Sequence, residues 1–221
     1  AAYRDMGLEY LDYLLKYHVN TAPNPELGQQ FDAWEFVDEQ GRPFIDADGA
    51  LLSDPGHACE QVGFALKFLT ACQRHGVLDD IAPERLESYY HVLPAMLERN
   101  FANGFSPNGV GIVKAYDLLA RRPLRGDCPW WSLPETMRAA LFACRVAEAD
   151  RRDRYVEIAA KCSNAFLGRY VRPELHLMAY QTLDRDGQPM ATIPATPDAD
   201  PGYHTGLSII DYLDLLEELV G

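Results

Sequence analysis

The stretch DPGHACEQVGFALKFLTACQ, residues 54–73, decides the fold. Asp54 has a side chain that caps helices, and the proline at position 55 suits the first helical residue. Apolar side chains then recur on one helical face: Val62, Ala65, Leu66 and Leu69. This spacing is typical of an amphipathic helix, predicted over about 56–75. Its first turn carries a histidine, His57.

Five further stretches have the same periodicity, and they predict helices over roughly 3–18, 83–99, 132–148, 152–170 and 203–219. Start signals support three of the boundaries. Pro83 opens one helix, Ser132 and Glu135 have the spacing of a capping box, and Asp150 is placed to cap another.

Short segments between the helices predict β-hairpins, with turns at Gly41 and at Asp186-Gly187. Helices separated by small hairpins predict stacked antiparallel helix pairs within a single domain, residues 1–221. Six helices would form about half of a helical toroid and leave its inner layer uncovered. We therefore expect a missing N-terminal half, or a second chain, to cover that layer.

Composition limits the classes of function. The 221 residues are 48% hydrophobic, which suffices for a sizeable core, and the net charge is -13. This charge argues against nucleic acids and anionic membranes as partners. The five cysteines form no CxxC pair, and the chain shows neither a signal peptide nor a long apolar run. We expect reduced thiols and a cytoplasmic protein that acts on a neutral small molecule.

His57 and Glu60 lie three residues apart and so share one face of the helix that begins at Pro55. A carboxylate beside an imidazole can fix its tautomer and raise its pKa, as an acid/base histidine requires. The spacing is equally compatible with two polar residues in an ordinary first turn, and by itself it favours that interpretation.

Adjacent tryptophans, Trp130 and Trp131, precede the predicted helix that contains Glu135. One indole could stack on a sugar ring while Glu135 accepts hydrogen bonds from the sugar hydroxyls. Core packing of the tryptophans and a capping role for Glu135 explain the pattern as well. His204 lies where a loop meets the last predicted helix, as His57 does, but Tyr203 or Thr205 could be the cap there instead.

No metal site or cofactor motif is apparent. His57, Cys59 and Glu60 are close in sequence, but residues i and i+2 do not face each other on a helix. The chain has no GxSxG motif, P-loop or GxGxxG motif in a fitting context. We therefore expect chemistry without a cofactor.

In order along the chain, PGHACE, WWSLPE and YH resemble the N-acylglucosamine 2-epimerase family of sugar epimerases and isomerases. Members show a PGH-x-x-E motif, a Trp-Trp pair with an acidic residue four beyond the second Trp, and a late histidine after an aromatic residue. The resemblance runs from about residue 7 to 219 but covers only the C-terminal half of a typical member.

The resemblance implies an (α/α)6-barrel, of which this chain forms about half. It implies a cofactor-free epimerase or isomerase that moves a proton at the carbon next to a sugar carbonyl. By the same resemblance, His57 and His204 are the acid/base pair, Glu60 is the partner of His57, and Trp131 and Glu135 contact the sugar.

The chain departs from the family pattern in three places. Members often have an arginine three residues after the late histidine, where this chain has Leu207. SLPE stands where a His or Gln often precedes the acidic residue. The resemblance does not include the N-terminal half, which supplies an arginine and a histidine to the pocket of relatives, so we expect these two residues to come from elsewhere.

Two other functions fit such departures. A glycoside hydrolase or polysaccharide lyase on the same toroid would use two opposed carboxylates, for which Glu60 and Glu135 are candidates. A non-catalytic relative would bind sugar or protein. A shared fold does not choose among these functions.

Overall fold

The computed structural model describes residues 2–22, 24–176, 178–192 and 206–220. This part of the chain contains six α-helices: α1 (Ala2–Tyr17), α2 (Pro55–Arg74), α3 (Pro83–Gly104), α4 (Ser132–Val146), α5 (Arg152–Ala165) and α6 (Ser208–Val220). It also contains five two-residue strands: β1 (Leu52–Ser53), β2 (Tyr116–Asp117), β3 (Arg122–Pro123), β4 (Cys128–Pro129) and β5 (Thr182–Leu183). The helix-dominated architecture agrees with the sequence pattern.

The helices pack in two layers. In one layer, α4 lies between α2 and α6, and in the other, α3 packs on α2 while α5 packs on α4. Helix α1 contacts α2 at the end of the stack that is remote from α6. These are the stacked helix pairs that the sequence predicts.

The core is built from the apolar faces of the helices. Val62, Leu66 and Leu69 of α2 are fully buried, as their spacing predicts, and α1 buries Leu8 and Leu11 against the same core. Helix α4 lies between two neighbours in its own layer, and for that reason it is buried from Ser132 to Cys144.

The strands form two small antiparallel sheets, ordered β1-β2-β3 and β4-β5. The predicted hairpin turns are present. Gly41 has φ 74° between the bridged residues Val37 and Pro43, and Gly187 has φ 82° beside the bridge of Leu183 to Pro189. Both glycines are in the left-handed region that L side chains rarely adopt.

Two helices differ in length from their predictions. Helix α3 continues five residues beyond the predicted end at 99, to Gly104. Its last turns are held by Asn100, whose Nδ2 donates to the carbonyls of Met96 and Phe31. Helix α5 ends at Ala165 and is followed by a wider π-helical turn, Phe166–Tyr170, rather than by more α-helix.

Two of the three predicted side-chain caps, those at Ser132 and Asp150, are wrong. Ser132 Oγ donates to the carbonyl of Pro129 at 2.8 Å, and α4 begins without a side-chain cap. Asp150 lies inside a 3-10 turn, Ala149–Arg151, and α5 also starts without a side-chain cap. In both cases another local contact, a hydrogen bond to a carbonyl three residues earlier or a preceding turn, takes the place of the predicted cap.

Large apolar side chains remain exposed at both ends of the stack. They are Tyr3, Met6, Tyr10 and Tyr13 on α1, and Leu207, Ile210 and Leu213 at α6. Exposed apolar side chains at the ends of a layered stack are typical of surfaces that other protein covers. None of the described helices combines the length and the apolar character needed to cross a membrane.

The contact between the end of α3 and the start of α2 can be tested at Gly104. A Cβ there would lie 2.4 Å from Pro55 Cβ and 2.8 Å from Ile112 Cγ2. We expect Gly104→Ala to lower the free energy of unfolding by about 1–3 kcal/mol, the usual cost of overpacking. Denaturant unfolding measures this change.

Gly168→Ala is the matched control, because no atom lies within 4 Å of the Cβ it would add. It should be neutral or slightly stabilising. If both variants unfold at the same denaturant concentration as the unaltered protein, the close packing at Pro55 is contradicted.

Candidate active site

The start of α2 places His57 in the first helical turn. Asp54 is the N-cap residue, and its Oδ1 accepts hydrogen bonds from the backbone N–H of Gly56 at 2.9 Å and of His57 at 3.2 Å. Gly56 is required there because a Cβ would lie 2.9 Å from Ser132 Cβ. The predicted cap and first turn are thus confirmed, and they bring α2 against the start of α4.

Two carboxylates approach one nitrogen of the His57 ring. Nδ1 lies 3.1 Å from Glu35 Oε2 and 3.4 Å from Asp54 Oδ2. Carboxylates accept hydrogen bonds, so Nδ1 is the nitrogen that carries a proton in the neutral ring. Nε2 is then the atom with the lone pair, and it is the atom that can take up or release a proton.

The surroundings of His57 raise its pKa. Burial lowers the pKa, but the hydrogen bond to Glu35 and the negative charges of Asp54 and Glu35 outweigh that effect. The side chain remains 39% exposed. A partly exposed imidazole with a raised pKa beside ordered carboxylates has the features of an acid/base group.

Lys114 completes this cluster. Its Nζ lies 2.5 Å from Asp54 Oδ2, the oxygen that faces His57. Asp54 is only 6% exposed, and its burial raises the pKa of the carboxyl group, while the charges of His57 and Lys114 oppose that rise. Asp54 therefore serves the helix cap through one oxygen and Lys114 through the other.

Trp131 forms a wall beside the cluster. Its ring centroid lies 5.1 Å from that of His57 with the planes tilted by 31°, and Lys114 Nζ lies 5.1 Å from the Trp131 ring. Trp130 and Trp131 are both buried, at 3% and 4% exposure. Core packing accounts for Trp130, whereas Trp131 both packs in the core and contacts the site.

Glu135 lies one turn further along α4 and is fully buried, where its carboxylate forms an ion pair with Arg138. The Arg138 guanidinium in turn lies 4.2 Å from the centroid of the Phe64 ring on α2. The structure thus places Glu135 of α4 at the contact with α2. Its ion-pair partner, Arg138, is a residue that sequence reasoning did not single out.

Comparison with known proteins gives the chain a family. The family model for N-acylglucosamine 2-epimerase matches residues 7–205, most of the chain. The chain belongs to the N-acylglucosamine 2-epimerase family. A search of curated proteins finds no match.

Solved structures show the fold of this family. A D-mannose isomerase superimposes with a TM-score of 0.66 at 15% identity, over 85% of this chain and 46% of that one. A sugar epimerase from a ruminal bacterium gives 0.68 at 14% identity, over 93% and 46%. A cellobiose 2-epimerase from Spirochaeta thermophila DSM 6192 gives 0.65 at 16% identity, over 96% and 46%.

These superpositions confirm the predicted fold class, the (α/α)6-barrel type. The chain spans about half the length of the solved structures it matches. It therefore contains about half of the barrel that those proteins form, in agreement with the six helices of the described part of the chain.

The structure brings together only some of the residues that the family resemblance implies. His57 and Trp131 are in contact, and Glu135 lies in the first turn of α4, the helix that Trp131 immediately precedes. His204 lies outside the described residues. The carboxylates at His57 Nδ1 are those of Glu35 and Asp54, where the resemblance implies Glu60, which is half-buried in the first turns of α2.

Sequence reasoning missed Glu35 and Lys114 as parts of the site. Glu35 is 22 residues from His57, a separation that helical spacing does not address. Lys114 did leave a signal, because it is a single charge between Val113 and Ala115, which are both buried. A lone lysine in a buried segment usually has a partner.

The link between Glu35 and His57 predicts a dependence of stability on pH. Because the folded-state pKa of His57 is raised, its charged form stabilises the fold fully below the unfolded-state pKa of about 6.5. This contribution is lost as the pH rises through the folded-state pKa. Glu35→Gln should therefore lower the free energy of unfolding more at mildly acidic pH than at alkaline pH.

Denaturant unfolding at several pH values measures this difference. Glu39→Gln, an exposed glutamate of the same hairpin, is the control and should show no such trend. An equal loss of stability by Glu35→Gln at all pH values would contradict the assigned ion pair.

Proposed function

We propose that this chain forms the C-terminal half of a cofactor-free sugar 2-epimerase or aldose–ketose isomerase, with His57 as one of its acid/base groups. The observation that carries the proposal is the His57 cluster. It is a partly exposed imidazole whose Nδ1 is held by two carboxylates and whose Nε2 is the nitrogen able to exchange a proton.

The proposed reaction fits this arrangement. The proton on the carbon next to a sugar carbonyl is weakly acidic, so its removal needs a well-placed base and stabilisation of the enediolate that forms. Return of the proton to the other face of that carbon gives the epimer, and its delivery to the carbonyl carbon gives the isomer. Two acid/base groups on opposite faces of the substrate suit formation of the epimer.

We assign the second acid/base role to His204. This assignment rests on the family resemblance, because the residue lies outside the described part of the chain. Trp131 is proposed to contact the sugar beside His57, since its ring already lies against the imidazole. Glu60 and Glu135 are proposed to bind sugar hydroxyls, Glu135 with its charge offset by Arg138.

A neutral carbohydrate is the proposed substrate. The matched structures include proteins described as acting on mannose and cellobiose, both uncharged sugars. The net charge of -13 disfavours strongly anionic ligands. The five cysteines are buried and unpaired, which supports a reducing compartment and thus a cytoplasmic location.

We also propose that residues 1–221 act as a single domain whose ring is completed by further protein. The chain covers 46% of each matched barrel, and large apolar side chains are exposed on α1 and at α6, the two ends of the stack. Either an N-terminal half or a second chain would cover them. Sedimentation velocity tests the second-chain possibility, since a stable monomer of this chain would exclude a second copy of it.

The hydrolase or lyase alternative gains no support from the site. Hydrolysis needs a pair of carboxylates that flank the glycosidic bond, one to protonate its oxygen and one on the opposite face to attack the sugar or activate water. Glu135, one of the two candidates, is fully buried in an ion pair with Arg138. A carboxylate held in such a pair is poorly placed to transfer a proton to a substrate.

Solvent exchange tests the proposed reaction. Free aldoses, ketoses and N-acylhexosamines are incubated with the protein in D2O, and the proton NMR signal at C2 is followed. We expect one sugar class to lose this signal. His57→Asn and His204→Asn should each slow the loss by at least about 100-fold, the lower range for a general acid or base.

His75→Asn is the matched control, because His75 is an exposed histidine at the opposite end of α2. Its exchange rate should equal that of the unaltered protein. Unchanged exchange in both the His57 and His204 variants would overturn the assignment, and release of reducing ends without exchange would favour a hydrolase.

A further inference from the structure

The charges around His57 come from several elements. Among the described residues, the hairpin before α2 contributes Glu35, the N-cap contributes Asp54, and the segment before β2 contributes Lys114. Trp131, the residue before α4, contributes an uncharged ring, and α2 itself carries Glu60 one turn beyond His57. Near Nδ1 there are thus two negative charges and one positive charge.

Two carboxylates alone would be a disadvantage for a histidine that exchanges protons. An opposite charge within about 4–6 Å favours the charged form of a group, and two such charges favour it more strongly. An imidazole held in its charged form cannot accept a proton. The cation beside Asp54 therefore has a chemical consequence for His57.

Lys114 is held in a defined position. It is 25% exposed on its side chain, and its backbone N–H donates to the carbonyl of Asp127 at 2.9 Å. The neighbouring Val113 N–H donates to the carbonyl of Gly104, the residue whose Cα packs on Pro55 at the start of α2. The lysine is thus fixed to the same corner of the fold that positions His57.

The contact with Asp54 is specific in its geometry. Asp54 Oδ1 accepts the two backbone N–H groups of the helix cap, whereas Oδ2 lies 2.5 Å from Lys114 Nζ and 3.4 Å from His57 Nδ1. Lys114 therefore offsets the negative charge on the one oxygen that faces the imidazole. Glu35 is left as the carboxylate that orients the ring.

We propose that Lys114 is a positioning residue: its ammonium group offsets the negative charge on Asp54 Oδ2 and so lets His57 release its proton more readily. The catalytic consequence rests on the proposed function, whereas the effect on the proton affinity of His57 does not. Burial raises the pKa of Asp54 and Lys114 opposes that rise, and the charge of Lys114 also lowers the pKa of His57. The lowering of the His57 pKa by Lys114 agrees in sign with the position of Lys114 on the oxygen that faces the imidazole.

Proton NMR titration of the imidazole Cε1–H signals tests the proposal without any substrate. The chain has six histidines, and His57→Gln identifies the signal of His57. Lys114→Met should raise the titration midpoint of His57, because the negative charge of Asp54 beside the imidazole is then no longer offset. Lys114→Arg should leave the midpoint near that of the unaltered protein.

Asp54→Asn should move the midpoint in the opposite direction, downward. Asparagine still caps the helix, and Lys114 is then left facing the imidazole without a carboxylate partner. Opposite shifts distinguish a charge effect from simple loosening of the corner, which would move both variants the same way. Shifts of the same sign, or no shift in Lys114→Met, would overturn the proposal.

One variant serves as a control, and a second replaces Lys114→Met if it does not fold. Lys161→Met removes another lysine with a carboxylate partner, Glu157, on an exposed face of α5, and should leave the midpoint unchanged. If Lys114→Met does not fold, Lys114→Gln replaces it, since an amide can still donate to Asp54 without the charge. A midpoint that rises no more than in Lys161→Met contradicts the proposal.

The pH profile of C2 proton exchange then links the cluster to catalysis. In Lys114→Met, the part of the kcat/KM pH profile that reflects deprotonation of His57 should move to higher pH by the amount that the NMR midpoint moves. A shift in the NMR midpoint without any exchange activity in the unaltered protein would reject the proposed function but retain the role of Lys114. An active Lys114→Met variant whose kcat/KM pH profile is unchanged would reject that role in catalysis.

Discussion

The organisation of the candidate site depends on one buried carboxylate, that of Asp54. Its two oxygens bind different parts of the molecule: one accepts the backbone N–H groups of the first turn of α2, and the other faces Lys114 and His57. A buried carboxylate is costly unless it is paired and hydrogen-bonded. Asp54 meets this requirement through the helix start and Lys114, and the histidine is fixed beside them.

The packing around this carboxylate explains why the corner needs small residues. Pro55 lies against the end of α3 at Gly104, and Gly56 lies against the start of α4 at Ser132. With side chains larger than hydrogen at either glycine, α2 could not approach its neighbours so closely. The close approach brings Trp131 to the ring of His57, so the packing of three helices and the chemistry of the site share one set of contacts.

The sequence was sufficient for much of the fold because the relevant signals are local. Helical periodicity, Asp54 with its following proline, and glycines such as Gly41 and Gly187 act within a few residues. The predicted caps at Ser132 and Asp150 failed although they too are local: the Ser132 hydroxyl donates to the carbonyl of Pro129, three residues before it, and Asp150 lies inside a 3-10 turn. Several local motifs compete for the same groups, and the sequence does not show which one forms.

The candidate site was predictable to a similar extent: its local signals were visible in the sequence, whereas its long-range contacts were not. His57 and Trp131 could be singled out, because a capped helix start and paired tryptophans are visible in sequence. The partner of His57 could not, since i,i+3 spacing suggests Glu60 whereas the hairpin before α2 delivers Glu35 from 22 residues away. Lys114 reaches Asp54 across 60 residues and was recognisable only as an isolated charge in a buried segment.

The proposed role of His57 depends most directly on which nitrogen of its ring carries the proton when the ring is neutral. Nitrogen-15 NMR of the imidazole, recorded above the pKa of His57, distinguishes the two tautomers through the shifts of Nδ1 and Nε2. The contacts with Glu35 and Asp54 predict a protonated Nδ1 and an unprotonated Nε2. A neutral ring protonated on Nε2 would contradict the assignment of His57 as the proton-exchanging group of this site.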